Sequence, residues 1–397
     1  MKAIDMETTI RPAIAARTIL RIAVGAMFFM AGLCFASWAS RIATVQAKLG
    51  LNDAALGAVL FSLPIGLMLS LPFSGWIITK IGSKRVLLGA ILAYAIFLIG
   101  LGLAQTTIEL VICLVCFGFA GNTVNISVNT QAVTAEGMHT KPIMASFHGL
   151  WSLAGFTGAG IGTFMFGHSV NPFHHFVIIL SITAVVSLII SRYLYDDYGS
   201  AKTAVPSPLS LRQRLSLVVP LFTLGSIAFC SMICEGAMFD WSVIFFKKVI
   251  QAPIAMQGLG FTAFMFTMAG GRFIADQFAH RFGLKRTLQV SGSLTATGLL
   301  IAVIFPHIYS AMAGLMLVGV GVSSVVPMVY SAAGKTKTMS PGVALAAVST
   351  VGFAGFFVGP PVIGFIAGLA TLRASFLFVA VMGISVVILS TRAKLDS

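Results

Sequence analysis

The chain has 397 residues, of which 58% are hydrophobic and only 9% charged. A soluble protein carries charge on about a quarter of its residues, so a soluble enzyme or binding module is excluded. The formal net charge of +14 sits in short Lys/Arg clusters between apolar runs, with no basic patch interleaved with aromatics, which excludes nucleic acid as a partner.

Apolar runs of about 20 residues mark membrane-spanning helices. They fall at 18–43, 54–79, 85–104, 109–133, 143–167, 174–194, 217–246, 255–279, 286–305, 309–333, 342–368 and 373–391. The first run is too long for a cleavable signal peptide and continues as a span. One long polar break, from Arg192 to Arg214 with Asp196, Asp197, Pro206 and Pro208, divides the chain. The expected organisation is a six-span bundle over 1–195, a cytoplasmic linker over 196–216 and a second six-span bundle over 217–397. The fold class is an all-α polytopic membrane protein of about twelve spans.

Orientation follows from the basic residues. With both termini on one side, that side holds most of the 25 Lys and Arg, including Lys80, Lys84, Arg85, Lys141, Lys202, Arg281, Lys285, Arg286, Lys335 and Lys337. The other side holds only Arg41, Lys48, Lys247, Lys248 and Arg373. Basic loops stay in the cytoplasm, so both termini of this multi-pass membrane protein are expected there. The five cysteines all lie in apolar runs. Cys113-x-x-Cys116 has no accompanying His or second Cys pair, so it reads as packing, and no metal or cofactor is expected.

The two halves repeat. Gly82 and Gly283 are 201 positions apart, as are Gly118 and Gly319, Gly158 and Gly359, and Gly167 and Gly368. Lys84-Arg85 and Lys285-Arg286 keep the same offset. A duplication with like topology in both copies gives parallel six-span repeats with a solute site between them near the midplane.

The segment Gly75-Trp-Ile-Ile-Thr79-Lys80-Ile-Gly82-Ser-Lys84-Arg85 resembles the signature between spans 2 and 3 of the major facilitator superfamily. Asp276-x-x-x-His280-Arg281-Phe282-Gly283-x-Lys285-Arg286 is its second copy. Thr79 and His280 stand where an acid is usual, so both copies depart from the motif at the acid of its acid–arginine lock. More narrowly, the chain resembles a bacterial inner-membrane subgroup that includes the rhizopine-transport membrane protein. The shared pieces are Ser37-Trp38-Ala-Ser-Arg41, His148-Gly149-x-x-Ser152-Leu153, Glu235-Gly236-x-x-x-Asp240-Trp241, Gly271-Arg272-Phe273, Val358-Gly-Pro-Pro361-x-x-Gly364 and Leu372-Arg373. The resemblance implies a secondary transporter, for a polyol- or sugar-like solute, and not an enzyme.

Glu235 and Asp240 end a nearly uncharged run that begins at Leu215, and an acid inside a span is a functional hypothesis by default. Glu235 is the better proton carrier, because a carboxyl in a dry cavity loads and releases a proton as water access changes. The bland reading is a structural acid bonded to a helix backbone or paired with Arg272. Arg41 and Asp240, at the outer ends of spans 1 and 7, are placed to form an outer gate, or else simply anchor helix ends by snorkelling. Asn122, Asn125 and Asn129 share one face of span 4 and suit a hydroxyl-rich solute, the alternative being interhelical hydrogen bonds. Trp38 and Trp151 can stack on a sugar or polyol ring. His148, Ser152 and Tyr330 complete the candidate substrate contacts. Arg272 with Asp276 reads as a structural i, i+4 charge pair, with anion binding by Arg272 as the alternative.

The expected function is proton-coupled symport of a small polar, sugar- or polyol-like solute by rocker-switch alternating access, in a monomer whose partners are the solute, protons and the bilayer. Span 5, rich in glycine, resembles the antiporter motif of drug-exporting relatives with Ala159 in place of proline. Proton-coupled export of a drug or metabolite is therefore the alternative, and a non-transporting sensor or membrane enzyme stands far behind.

Overall fold

The computed structural model describes residues 2–139, 143–198, 211–334 and 341–392, with the side chains of 2–16, 145, 211–220, 276, 334, 341–347 and 392 outside that description. Among the described residues the chain forms helices without strands. They are α1 (Lys2–Ala39), α2 (Ile42–Lys48), α3 (Asp53–Leu60), α4 (Ser62–Ile81), α5 (Ser83–Leu103), α6 (Thr107–Gly137), α7 (Met144–Gly167), α8 (Pro172–Ser191), α9 (Leu211–Lys248), α10 (Leu259–Phe282), α11 (Leu284–Ile304), α12 (Ile308–Gly334), α13 (Pro341–Leu369) and α14 (Leu372–Arg392).

Ten stretches are long and apolar enough to cross a membrane, the first two being Arg17–Lys48 (α1 with α2) and Asp53–Ile81 (α3 with α4). The 24-residue helices α7 and α10 complete a set of twelve. Both are diluted by Gly, Ser and Thr, and α10 by Arg272. These more polar helices pack on each other at the boundary of the halves. The second span breaks at Phe61 because Pro64 has no N–H to offer the Leu60 carbonyl. Starts are set by local caps: Asn52 accepts from Ala55 N at 2.8 Å, and Asn171 accepts from Phe173 N ahead of Pro172.

The 201-residue repeat is a set of matching contacts. Gly118 of α6 meets the Leu63 carbonyl of α4, and 201 residues on, Gly319 of α12 meets the Phe264 carbonyl of α10. Gly66 sits on the Val115 carbonyl, while at the matching place Thr267 donates to the Met316 carbonyl at 2.8 Å. Gly82 and Gly283, at φ +83° and +79°, make the same turn between α4 and α5 and between α10 and α11. Side chains rarely adopt that backbone, which explains the glycine in both copies.

The boundary between the halves is also built twice. Gly258 meets Thr163 and Gly167 meets Ala255; their 201-shifted counterparts are Gly57 against Gly364 and Gly368 against Ala54. One seam is therefore α7 on α10 and the other α3 on α13, related by a pseudo-two-fold axis along the membrane normal. Glycine and alanine at both seams let backbones approach where larger residues would hold them apart.

Candidate functional site

Halfway along α9 and α10, the chain places its most buried ion pair among the described residues. Arg272 Nη2 donates to Glu235 Oε1 at 3.1 Å, with the side chains 17% and 7% exposed. The same guanidinium reaches into the other half, where Nη1 donates to Ser152 Oγ of α7 at 2.5 Å. Ser152 Oγ in turn donates to the His148 carbonyl at 3.1 Å. The Arg272 guanidinium also lies 5.7 Å from the centroid of the Trp151 ring, within cation–π range, and its Nε is buried without an acceptor. One side chain thus ties an acid in its own half to a hydroxyl and a ring in the other.

This site exists in one repeat only. Subtracting 201 places Glu235 on Cys34 and Arg272 on Leu71, so the two halves share the scaffold but not the charges. The i, i+4 partner expected for Arg272, Asp276, has its side chain outside the described residues. The described partner of Arg272 is Glu235, 37 residues away on another helix.

Aromatic rings pack beside the pair. Phe35 of α1 stands 5.9 Å from Trp151 and 5.0 Å from Phe239, which packs edge-on against Phe264 at 5.8 Å. Tyr330 of α12 lies beside Ser349 and within electrostatic range of Glu235. His148 is exposed and packs edge-on against Phe28 at 5.3 Å.

Other expected residues are placed differently. Asn122 is buried and donates to Ser70 Oγ at 2.7 Å and the Leu67 carbonyl at 3.3 Å, so it joins α6 to α4. Asn125 and Asn129 stay more exposed and bond to each other, Nδ2 to Oδ1 at 3.0 Å. The three carboxamides are therefore one packing residue and a self-paired couple. Trp38 is 1% exposed, wedged in the closed layer with its Nε1 lacking an acceptor, so it presents no ring face to a solute here.

Arg41 does not pair with Asp240. Its Nε donates to His175 Nδ1 at 3.3 Å, its Nη2 donates to the Val170 carbonyl at 2.9 Å, and it faces the Phe166 ring. Asp240 is partly buried, and no hydrogen bond or ion pair joins it to the described residues. The partner of Arg41 comes from α8, far from it in sequence.

A different ion pair joins the halves on the side away from the termini. Lys248 Nζ at the end of α9 meets Asp53 Oδ1 at the start of α3 at 2.5 Å, and Gln46 Nε2 donates to the same oxygen at 2.8 Å. Side-chain hydrogen bonds that cross between the halves include this one, Thr163 with Thr262 at 3.1 Å, and Arg272 to Ser152. These lie at mid-membrane or on the distal side, so the distal side is closed and tied. Lys248→Gln is expected to cost roughly 0.2–1 kcal/mol, because the pair is partly exposed. A shift of that size opens the distal side by at most about fivefold. Thiol accessibility of a cysteine placed at Ala54 would measure it.

The loop motif is anchored by acids beyond α8. Asp197 Oδ1 accepts from Ser83 N at 2.7 Å at the first turn of α5, where a helix favours negative charge. Gln131 Nε2 holds Ser83 Oγ at 2.7 Å and the Tyr195 carbonyl at 2.8 Å. Arg85 stacks 4.6 Å from the Tyr198 ring centroid, with Asp196 at 3.9 Å. Thr79 only bonds back to the Trp76 carbonyl, so the acid missing from the motif is replaced from after α8. Gly75 and Gly283 have open space around them, and Lys84 and Arg286 make no ion pair among the described residues. Lys141 and residues 199–210 of the linker lie outside the described residues.

Twelve spans in two like-oriented repeats, with a charged site on the seam between them, are the architecture of a membrane transporter. The Major Facilitator Superfamily profile matches residues 22–253 and 224–395, and the chain belongs to that family. It is 32% identical over 382 residues to an uncharacterized MFS-type transporter of Yersinia pestis, covering 96% of each chain. It is 30% identical over 365 residues to the membrane protein MosC of Rhizobium meliloti, covering 92% of this chain and 88% of that one. Among solved structures, the nucleoside transporter NupG matches with a TM-score of 0.74 at 13% identity, covering 94% of this chain and 98% of that one. A bacterial homologue of the human lysosomal transporter Spinster, inward-facing and unoccupied, matches with a TM-score of 0.72 at 13% identity, over 95% and 97% of the two chains. The family and subgroup resemblance read from the sequence motifs is borne out, as is the non-enzymatic reading.

Proposed function

We propose that this multi-pass transporter is a proton-coupled symporter for a small polar solute with a polyol- or sugar-like body, sited in a bacterial inner membrane with both termini in the cytoplasm. The observation that carries the reading is the Glu235–Arg272–Ser152 bridge. It sets a carboxylate with a removable proton site at mid-membrane, on the same guanidinium that ties the halves together.

Protonating Glu235 removes the charge that Arg272 pairs with, and a buried guanidinium without its anion is costly. Proton loading therefore loosens the bridge, and the bridge spans the halves that must rock. With cytoplasmic termini, the closed distal side is periplasmic and the state described releases solute inward. Trp151, His148, Asn125, Asn129 and Tyr330 supply ring and polar contacts on the open side, while Arg41 and Asp240 lie in the layer that separates when the distal side opens. Among the glycines of α7 that favoured export, Gly155 meets Met265 of α10 and Gly158 meets Ala36 and Leu33 of α1, which supports a packing role for them.

The test is external pH in a weakly buffered suspension of de-energised cells making the protein, with sugars, polyols and their amine and acid derivatives added singly. Transient alkalinisation with one solute class, absent in Glu235→Gln, is the expected result. Drug or metabolite efflux from energised cells, with no alkalinisation for any solute, would replace this reading with antiport.

A further inference from the structure

Resting on the proton-coupling reading above, we infer that the transported solute is itself an anion, a hydroxylated carboxylate that takes Glu235's place on Arg272.

The Arg272 guanidinium has one charged partner among the described residues, Glu235, and its other bonds are to a neutral hydroxyl and a ring face. A guanidinium offers five N–H donors in a planar fork matched to a carboxylate. Here Glu235 takes one donor through a single oxygen, Ser152 takes another, and Nε is buried with no acceptor. The site is a carboxylate receptor whose own acid only partly satisfies it.

Charged and titratable groups from three packed elements face the pair. From α7, His148 lies within electrostatic range of Arg272; from α12, Tyr330 lies within range of Glu235; α9 adds Cys234 next to Glu235. None of the three is an anion at neutral pH that could replace Glu235. The side chain of Asp276 is outside the described residues. So when Glu235 takes a proton, no other anion among the described side chains neutralises Arg272, and an anion arriving from outside can.

A neutral polyol leaves that cation unpaired in a low-dielectric seam, whereas a carboxylate pairs it. Proton and anion then enter as a set: the substrate carboxylate docks on Arg272, and Glu235 keeps the proton because its own cation is occupied. One negative and one positive charge cross together, and transport is electroneutral. Trp151, whose face already carries the guanidinium, and Phe35 beside it flank the docked group.

The test uses purified full-length protein in liposomes and matched pairs of probes: gluconate with glucitol, galactonate with galactitol, lactate with propane-1,2-diol. An inward proton gradient is imposed with the membrane potential clamped at zero or at a negative value. The expected result is accumulation of at least one acid, none of its neutral partner, and a rate unchanged by the potential. Arg272→Gln should lower acid uptake about 100-fold or more, since truncating a buried charged partner removes most of the binding. Arg272→Lys, which keeps the charge without the fork, should retain acid selectivity at reduced affinity. Because Arg272→Gln alone can fail to fold, Glu235→Gln with Arg272→Gln is the folded comparison, expected to take up neither member. Gradient-driven uptake of a neutral partner overturns the anion assignment and leaves proton coupling standing. Acid uptake that speeds up with a negative potential overturns the one-to-one exchange of charge. Gradient-independent uptake of acids and alcohols alike overturns both readings.

Discussion

Arg272→Ala is expected to lose transport and about 3–5 kcal/mol of stability, the typical result of removing one partner from a buried ion pair. Glu235 is 6% exposed, so a carboxylate left there without its guanidinium is desolvated with nothing to repay the cost. Glu235→Ala should cost a similar amount, for it strands the cation. The double replacement Glu235→Ala with Arg272→Ala removes both charges and is expected to cost well under the sum of the single losses in thermal unfolding while staying inactive. That non-additivity is the signature of a coupled pair, and additive losses would show that the two charges act independently.

The second large effect lies at the glycine seam. A Cβ on Gly57 would stand 2.7 Å from the Pro360 carbonyl and 2.9 Å from the Gly364 Cα, both backbone, with no flexible side chain to yield. Gly57→Leu should therefore prevent α3 and α13 from meeting, holding the distal side open. Transport is expected to fall to background, while the protein still folds because each half keeps its internal packing. Cross-linking of an Asp53→Cys, Lys248→Cys pair, efficient in the parent, should then be lost. Normal cross-linking in Gly57→Leu would mean that the seam closes by another route.

Most of the architecture was legible in the chain. Apolar run lengths located the spans, and four glycine pairs at one offset announced the repeat, because those glycines mark backbone contacts that the duplication had to preserve. Helix ends differ where the membrane does not set them. α1 extends back to Lys2 and α9 to Leu211, since hydropathy marks the apolar part of a helix and hydrogen bonding continues beyond it.

The site was legible in its members and not in its pairings. Glu235 stood out as an acid in an apolar run, and Arg272 as a cation in another. Sequence spacing offers only i, i+4 partners, so Asp276 was the visible choice for Arg272, and the link to Glu235 depends on how α9 meets α10. Arg41 was matched to Asp240 on charge, yet its described contacts are a histidine and a carbonyl on and before α8, which no local pattern reveals. Lys248 and Asp53 looked like ordinary interfacial charges at span ends. Only the closeness of α3 to the end of α9 makes them a latch. Asn122 shares its face with Asn125 and Asn129, but α4 brings Ser70 against it and consumes its donors.

The most direct test of the coupling role of Glu235 compares two modes of transport in the same proteoliposomes, using the solute that gives alkalinisation in cells. In wild type, an inward proton gradient should drive accumulation, and preloaded unlabelled solute should drive exchange of labelled solute at equal pH. Glu235→Gln should lose gradient-driven accumulation and keep exchange, because the substituted amide holds no transferable proton while the rocking of the halves survives. Gradient-driven accumulation at the wild-type level in Glu235→Gln would contradict the account and move the proton to another group.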